Sequence, residues 1–267
     1  MERTESSISF VGLHAHSVAG SPFDGFGYPQ EHMDFAYDNG MQALALTDHG
    51  NMNGFSHQVL HARKMKEAGQ DFKPIFGVEA YFIPSVKEWK EAYNKAKKDK
   101  KAARQLESDP TRTANEDESS SKRKVDNIIR ARRHLILLAQ NQEGLNNIFK
   151  IISTTFQGDH FYRYPRTDYE LLKKYSKGVI AASACLGGVY AGNYWDNCIY
   201  EEYEHEDKET GKIKIKSKKV GENEEAILGA MRETTRNMVD IFGDRWYGEL
   251  QWNNVPEQHS LNKYVIK

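Results

Sequence analysis

The stretch Gln42–Gly50, "QALALTDHG", decides how this chain folds. Ala43–Leu46 is apolar at every position, without the alternation of a strand that has one wet face, and the run halts at Asp48, His49 and Gly50. A short run of that kind reads as a strand covered on both faces, which belongs to a parallel sheet packed by helices. In such sheets the groups that do chemistry stand at the carboxyl ends of the strands. Asp48 and His49 hold that position.

The same unit recurs on either side. Upstream, Ile8–Leu13 reads as a strand that runs into His14 and His16, and Pro29–Asn39 reads as a helix stopped by Gly40. Downstream, Asn53–Ala68 is a helical stretch stopped by Gly69, and Lys73–Ile83 is a third strand carrying Glu79. His134–Ala139 is a fourth strand, with His134 at its beginning, followed by a helix over Glu143–Thr155. Gly178–Ser183 is a fifth and runs into Cys185; Glu224–Ile241 is a helix, Trp246–Gln251 a sixth strand, and Pro256–Lys267 the start of another helix. Strand–helix repetition of this length points to an α/β barrel. Two charged stretches read as insertions into one domain spanning residues 1–267. The first, about 85–132, contains "NKAKKDKKAAR"; its beginning suits a solvated helix, 108–124 suits disorder, and the whole is too polar to supply core. The second, about 201–222, suits a hairpin around Thr210-Gly211.

The bulk numbers exclude several classes. A formal net charge of -1 over 267 residues provides no overall field for nucleic acid or membrane. Two cysteines, Cys185 and Cys198, are no disulfide framework, and no apolar run is long enough to span a bilayer. These features lead to the expectation of a cytoplasmic protein.

His14 and His16 lie two apart, so a strand turns both to one face. Alone, the pair is explained as well by ordinary hydrogen bonding as by a metal. The balance shifts because ligand-type groups recur unit by unit: His14 and His16, Asp24 in "SPFDG", His49, Glu79, His134 and Cys185. Imidazole, carboxylate and one thiolate suit zinc, manganese or iron better than magnesium or calcium. A cluster of two or three such ions polarises a phosphate oxygen and generates hydroxide near neutral pH, which is the chemistry of phosphoester hydrolysis. His57 and His61, four apart on a helix, read as surface positions. The lysine-rich run reads as a solvated helix face or a phosphate-backbone contact. Gly187-Gly188 reads either as an amide cradle for phosphate or as a tight turn.

Taken in order, "LHAHS", "SPFDG", "ALALTDHGNMNG", "KPIFGVEAYF", "HLILLAQNQEGLNNI", "GVIAASACLGG" and "GELQWNNVPEQ" resemble the polymerase and histidinol phosphatase (PHP) domain. The resemblance is closest to the version found in bacterial DNA polymerase III alpha subunits and covers nearly the whole chain apart from the insertions. It implies a distorted (βα)7 barrel with up to three divalent ions, zinc or manganese, and phosphatase or 3′–5′ exonuclease activity. It implies that His14, His16, Asp24, His49, Glu79, His134 and Cys185 hold the metals and carry catalysis. Asp48 would then support an imidazole by hydrogen bonding, and Glu249 would pack or support. The family's closing aspartate and histidine have no counterpart before Lys267, so the resemblance also implies a barrel lacking its last strand. Three functions follow as expectations: a phosphoesterase trimming DNA 3′ ends, a scaffold of a split or truncated polymerase bound to its remainder or to other replisome proteins, or a stand-alone histidinol-phosphatase-like enzyme. The wording of "SPFDG" and "GVEAY" favours the polymerase branch.

Overall fold

The computed structural model describes residues 10–107, 125–206 and 213–267. The chain forms α1 (Pro29–Asp38), β1 (Ala43–Leu46), α2 (Phe55–Glu67), β2 (Lys73–Phe82) and α3 (Val86–Glu107). Helical residues 125–130 (α4) lead into β3 (Arg133–Ala139) and α5 (Gln142–Thr155). Then come β4 (Phe161–Tyr162), β5 (Tyr164–Thr167), α6 (Tyr169–Tyr175), β6 (Val179–Ala182), α7 (Val189–Asp196), the β7 (Cys198–Glu206) and β8 (Ile213–Glu222) hairpin, α8 (Glu224–Phe242), β9 (Trp246–Tyr247) and α9 (Pro256–Ile266). Helix starts are set by local chemistry: Asn141, Asp168 and Asn223 each accept a hydrogen bond from a first-turn backbone amide, and Pro29 and Pro256 open α1 and α9.

The strand directions correct the expected parallel sheet. The seven-stranded sheet runs β4-β5-β2-β3-β6-β9, with β1 on β2. β1 and β5 lie parallel to β2, and β9 parallel to β6, but β3 is antiparallel to both β2 and β6. The cause is the connection: α3 and α4 bring the chain back to the rim it left, so β3 runs down where a simple crossover would have made it run up. His134 at the start of β3 thereby lands opposite Tyr81, near the end of β2.

The expected barrel does not close as a ladder among the described residues. Residues 12–16 run beside β1, with Ala45 N donating to Gly12 O and Thr47 N to Ala15 O. At the far edge β9 pairs with β6. No backbone pair joins these two edges among the described residues; they meet through side chains, His14 Nδ1 and Glu249 Oε1 at 2.7 Å. The first expected strand is a single bridge at Gly12, with Ile8 and Ser9 outside the described residues.

One sheet face buries Val78, Ala80 and Phe82 of β2, Leu135 and Leu137 of β3, and Val179 and Ala181 of β6 against Ile148, Ile151, Leu172, Ile227 and Met238. The opposite face carries a smaller cluster, Ala45, Ile136, Leu138 and Ala184. This division is the period-two alternation of the strands.

The first insertion supplies core, contrary to expectation. Val86 and Trp89 pack with Ile83, and Ala96, Val125 and Ile129 form a further cluster. Asp168 Oδ2 accepts from Val86 N, tying the start of α3 to the start of α6. Residues 108–124, where disorder was expected, and the hairpin apex at Thr210-Gly211 lie outside the described residues; the hairpin arms form as expected.

Candidate metal centre

Glu79 is the middle of the site. It lies on β2, fully buried, and the backbone clips it to the end of β1 through Glu79 N to Asp48 O and Gly50 N to Glu79 O. Four imidazoles face its carboxylate. Oε1 is 3.3 Å from His14 Nε2 and 2.8 Å from His134 Nδ1; Oε2 is 3.4 Å from His16 Nε2 and 2.5 Å from His49 Nδ1. Cys185 Sγ lies 3.7 Å from both Glu79 Oε1 and His134 Nδ1. Asp24 Oδ2 lies 2.7 Å from His49 Nε2. All seven side chains singled out in the sequence therefore converge on one rim.

Each arrives from its own strand end or turn. His14 and His16 share a face of the extended segment beside β1. His49 follows β1, Glu79 is on β2 and His134 opens β3. Cys185 is aimed by a tight turn: Ala184 sits in the left-handed region, φ 60, where a residue with a Cβ is strained. Gly188 N donates to Cys185 O and Gly187 N to Cys185 Sγ, so these amides are spent on the turn and do not form a phosphate cradle.

The electrostatics are those of a buried anion inside a cage of bases. Burial would raise the Glu79 pKa, but the hydrogen bonds and charges of His134, His14 and His49 hold it far below the usual carboxylate range. Burial alone would lower His14; its bonds to Glu249 and Glu79 outweigh this and lift it to about 9. Burial, with the neighbouring His49 and His14, lowers His16. His49 is raised because Glu79 and Asp24 overcome its burial. Burial and the Glu79 charge push the Cys185 thiol up to about 12. Nitrogen, oxygen and sulfur ligand atoms are thus packed around one carboxylate.

Three groups have ligand atoms all within 4.8 Å of one another: His14, His16 and Glu79; His16, Asp24 and His49; His49, Glu79 and His134. Among the buried atoms of these residues, His16 Nδ1 has no hydrogen-bond partner, and His49 Nδ1 and Glu79 Oε2 have only each other, at 2.5 Å. Buried polar atoms normally have partners, and a divalent cation would take the lone pairs of the imidazole nitrogens and carboxylate oxygens crowded here. The donor set fits divalent cations.

One expectation about the surroundings changes, and one narrows. Asp48 does not support an imidazole among the described residues. Its carboxylate accepts from Ser17 N, Ser17 Oγ and Ser21 Oγ at 2.7, 2.9 and 3.1 Å, because Asp48 alternates to the face opposite its neighbour His49. It shapes the loop that carries His16 and Asp24. Glu249 does support: it accepts from His14 Nδ1, and Gln251 Nε2 donates to the same oxygen at 2.7 Å. Sequence reading passed over Gln251, although Glu249-x-Gln251 has the same two-residue spacing as the opening histidines. His61 pairs with Asp34 at 2.6 Å, away from the centre.

An α/β domain with a carboxylate-centred cluster of imidazoles at one rim of its sheet defines a metal-binding domain. The PHP domain model matches residues 12–252, and the chain belongs to that family. It is 32% identical over 262 residues to DNA polymerase III subunit alpha of Aquifex aeolicus, which covers 98% of this chain and 17% of that protein. The subunit alpha of Borreliella burgdorferi is 28% identical, covering 97% of the chain and 16% of that relative. The chain thus spans about one sixth of the length of the relatives it matches. Among solved structures it is similar to a Bifidobacterium adolescentis protein proposed to be a metal-dependent phosphoesterase, at 12% identity and a TM-score of 0.37 over 96% of this chain and 82% of that one, a likeness that carries no argument here. Among the described residues no helix is long and apolar enough to cross a membrane.

Proposed function

We propose that this chain is a metal-dependent phosphoesterase module of the DNA polymerase III alpha type, that its substrate is the 3′ end of a DNA strand, and that the sheet acts as a distorted barrel closed at His14–Glu249. The observation that carries the reading is the fully buried Glu79 carboxylate, faced by four imidazole nitrogens at 2.5 to 3.4 Å. His14, His16, Asp24, His49, Glu79, His134 and Cys185 would hold zinc or manganese ions. When bound, such ions supply Lewis-acid polarisation of a phosphate oxygen and lower the pKa of water. The chain's own residues do the rest. Glu249 holds the His14 ring through Nδ1, so that ring is fixed before substrate arrives. Asp24 is half-exposed and stands at the open side of the cage, beside the His49 ring.

A second reading, a scaffold within a longer polymerase, draws on the fully exposed Phe23 and Phe26 flanking Asp24 and on exposed Trp252 beyond Gln251, an apolar rim suited to cover by other protein. The test compares wild type with Glu79→Gln. Bound manganese and zinc are counted by elemental analysis, and nucleotide release is followed from a 3′-labelled single strand. Metal-dependent release by wild type, with loss of both metal and release in the variant, is expected. Equal metal content in the two proteins overturns the ligand assignment, and a metal-loaded wild type that releases nothing favours the scaffold.

A further inference from the structure

The strand alternation that points Glu79 into the cage also points Tyr81 to the same face, and the alternation that points His134 inward points Arg132 there too. In the sheet Tyr81 stands across from His134 on one side and from Arg166 on the other, so Tyr164, two residues before Arg166, joins the row. The Tyr81 ring lies 5.5 Å from the His134 ring, and 6.0 Å from that of His49 at an interplanar angle of 13°. The Arg132 guanidinium lies 3.7 Å over the Tyr164 ring and 4.8 Å from that of Tyr81. One ring therefore separates the metal centre from a cation held flat by aromatic contact.

Among the described residues no carboxylate neutralises that cation. Arg132 donates through Nη1 to Arg130 O at 3.1 Å, its Nε is buried without a hydrogen bond, and among the described residues it pairs with no carboxylate. Its neighbour Arg133 shows the ordinary alternative, a two-pronged pair with Asp196 at 2.9 and 2.8 Å. Arg166 is also without a carboxylate among the described residues, and its Nε is likewise buried without a hydrogen bond, although its Nη1 and Nη2 are spent on backbone carbonyls. The row continues outward to exposed Arg163 at the β4–β5 turn and to Tyr162, whose ring lies 5.0 Å from that of Tyr93. A guanidinium fork offers paired donors to a phosphate, and alternating rings and cations are how proteins follow an unpaired strand.

We propose that Arg132, held against the rings of Tyr164 and Tyr81, binds the phosphodiester next to the one at the metal centre, and that this row selects a single DNA strand over a small phosphate ester. The proposal rests on the phosphoesterase reading of the adjacent centre. A small phosphate ester has no second phosphate to give Arg132, and a duplex keeps its base faces from the tyrosines.

The test uses the full chain. Fluorescence anisotropy of a 5′-labelled oligothymidylate is measured at several salt concentrations with the metals chelated, which separates binding from hydrolysis. R132A and R132Q should each bind about tenfold more weakly, the loss of a charged hydrogen-bonding pair. The slope of log affinity against log salt should flatten by about 0.7, the loss of one phosphate contact on a single strand. Hydrolysis of bis(para-nitrophenyl) phosphate with manganese should match wild type in both variants. Unchanged affinity and slope in a folded variant overturn the proposal, as does wild type that fails to bind the strand. Equal loss of strand binding and small-ester hydrolysis also overturns it, because it marks a structural role. Wild type that binds the strand through Arg132 but hydrolyses nothing sinks the phosphoesterase reading and leaves the strand-binding row standing.

Discussion

Replacing Glu249 by alanine probes how the cage is held from outside. Glu249 Oε1 takes one hydrogen bond from His14 Nδ1 and another from Gln251 Nε2, each at 2.7 Å. Without it, Nδ1 keeps only a distant neighbour, Gln251 Nε2 at 3.4 Å, and the ring is free to turn away from Glu79. Carboxylates placed behind a metal-binding imidazole contribute about 10- to 100-fold in metal affinity, or roughly 1.4–2.7 kcal/mol. Glu249 is also one of the two groups that lift His14 to about 9, so the variant should titrate that ring lower. Glu249→Gln keeps an acceptor for Nδ1 and should lose less than Glu249→Ala. Calorimetric manganese titration of the three proteins measures the order directly. If Glu249→Ala binds manganese as tightly as wild type, the orienting role is refuted and the 2.7 Å contact is incidental.

Two further perturbations test parts of the fold that carry the site. Glu222 accepts from Tyr194, Tyr264 and Lys219; burial would raise its pKa, but these partners hold it near about 2 against an ordinary 4.5. A depressed carboxylate contributes stability above its unfolded pKa and loses it as pH falls toward the folded one. The urea-midpoint gap between wild type and Glu222→Gln should be full above about pH 4.5 and narrow below it; a gap that stays constant with pH counts against the network. Arg166→Met strips the donors from Tyr162 O, Tyr164 O and Ile129 O around a fully buried guanidinium. It should cost about 1–3 kcal/mol in urea unfolding, as leaving a buried acceptor without its donor does, and an unchanged midpoint would show that those carbonyls find other partners.

Legibility followed chemistry more closely than geometry. The helix read as Pro29–Asn39 is Pro29–Asp38, and the strand read as Lys73–Ile83 ends at Phe82, because capping and apolar runs are local signals. The direction of β3 is not local: "HLILLA" reads the same in either orientation, and only the return path through α3 and α4 sets it. Phe161–Tyr175 was passed over because β4 and β5 are very short and carry Arg166 and Pro165 where a strand pattern wants apolar groups; Asp168 capping Leu171 N was the available clue. Trp89 and Ile129 were lost in a lysine-rich average that hid their helical spacing. At the site, residue types announced the cage, whereas Asp48 was misplaced by adjacency in sequence, which in extended chain means opposite faces. Tyr81 and Arg132 were two steps from Glu79 and His134 all along, and ordinary composition concealed them.

The reversal of β3 has a consequence for how such a domain changes over generations. Because the chain leaves β2 and enters β3 at the same rim, whatever is inserted between them starts and ends beside the cage while both flanking strands stay in register. Trp89, Tyr93 and Ile129 already line that insertion and pack toward Tyr164 and Arg166. Lengthening or shortening this excursion remodels the approach to Glu79 and leaves the residues around it untouched. Ancestry can thus tinker with access and conserve the furnace, two properties that a wholly parallel sheet would have tied to the same loops.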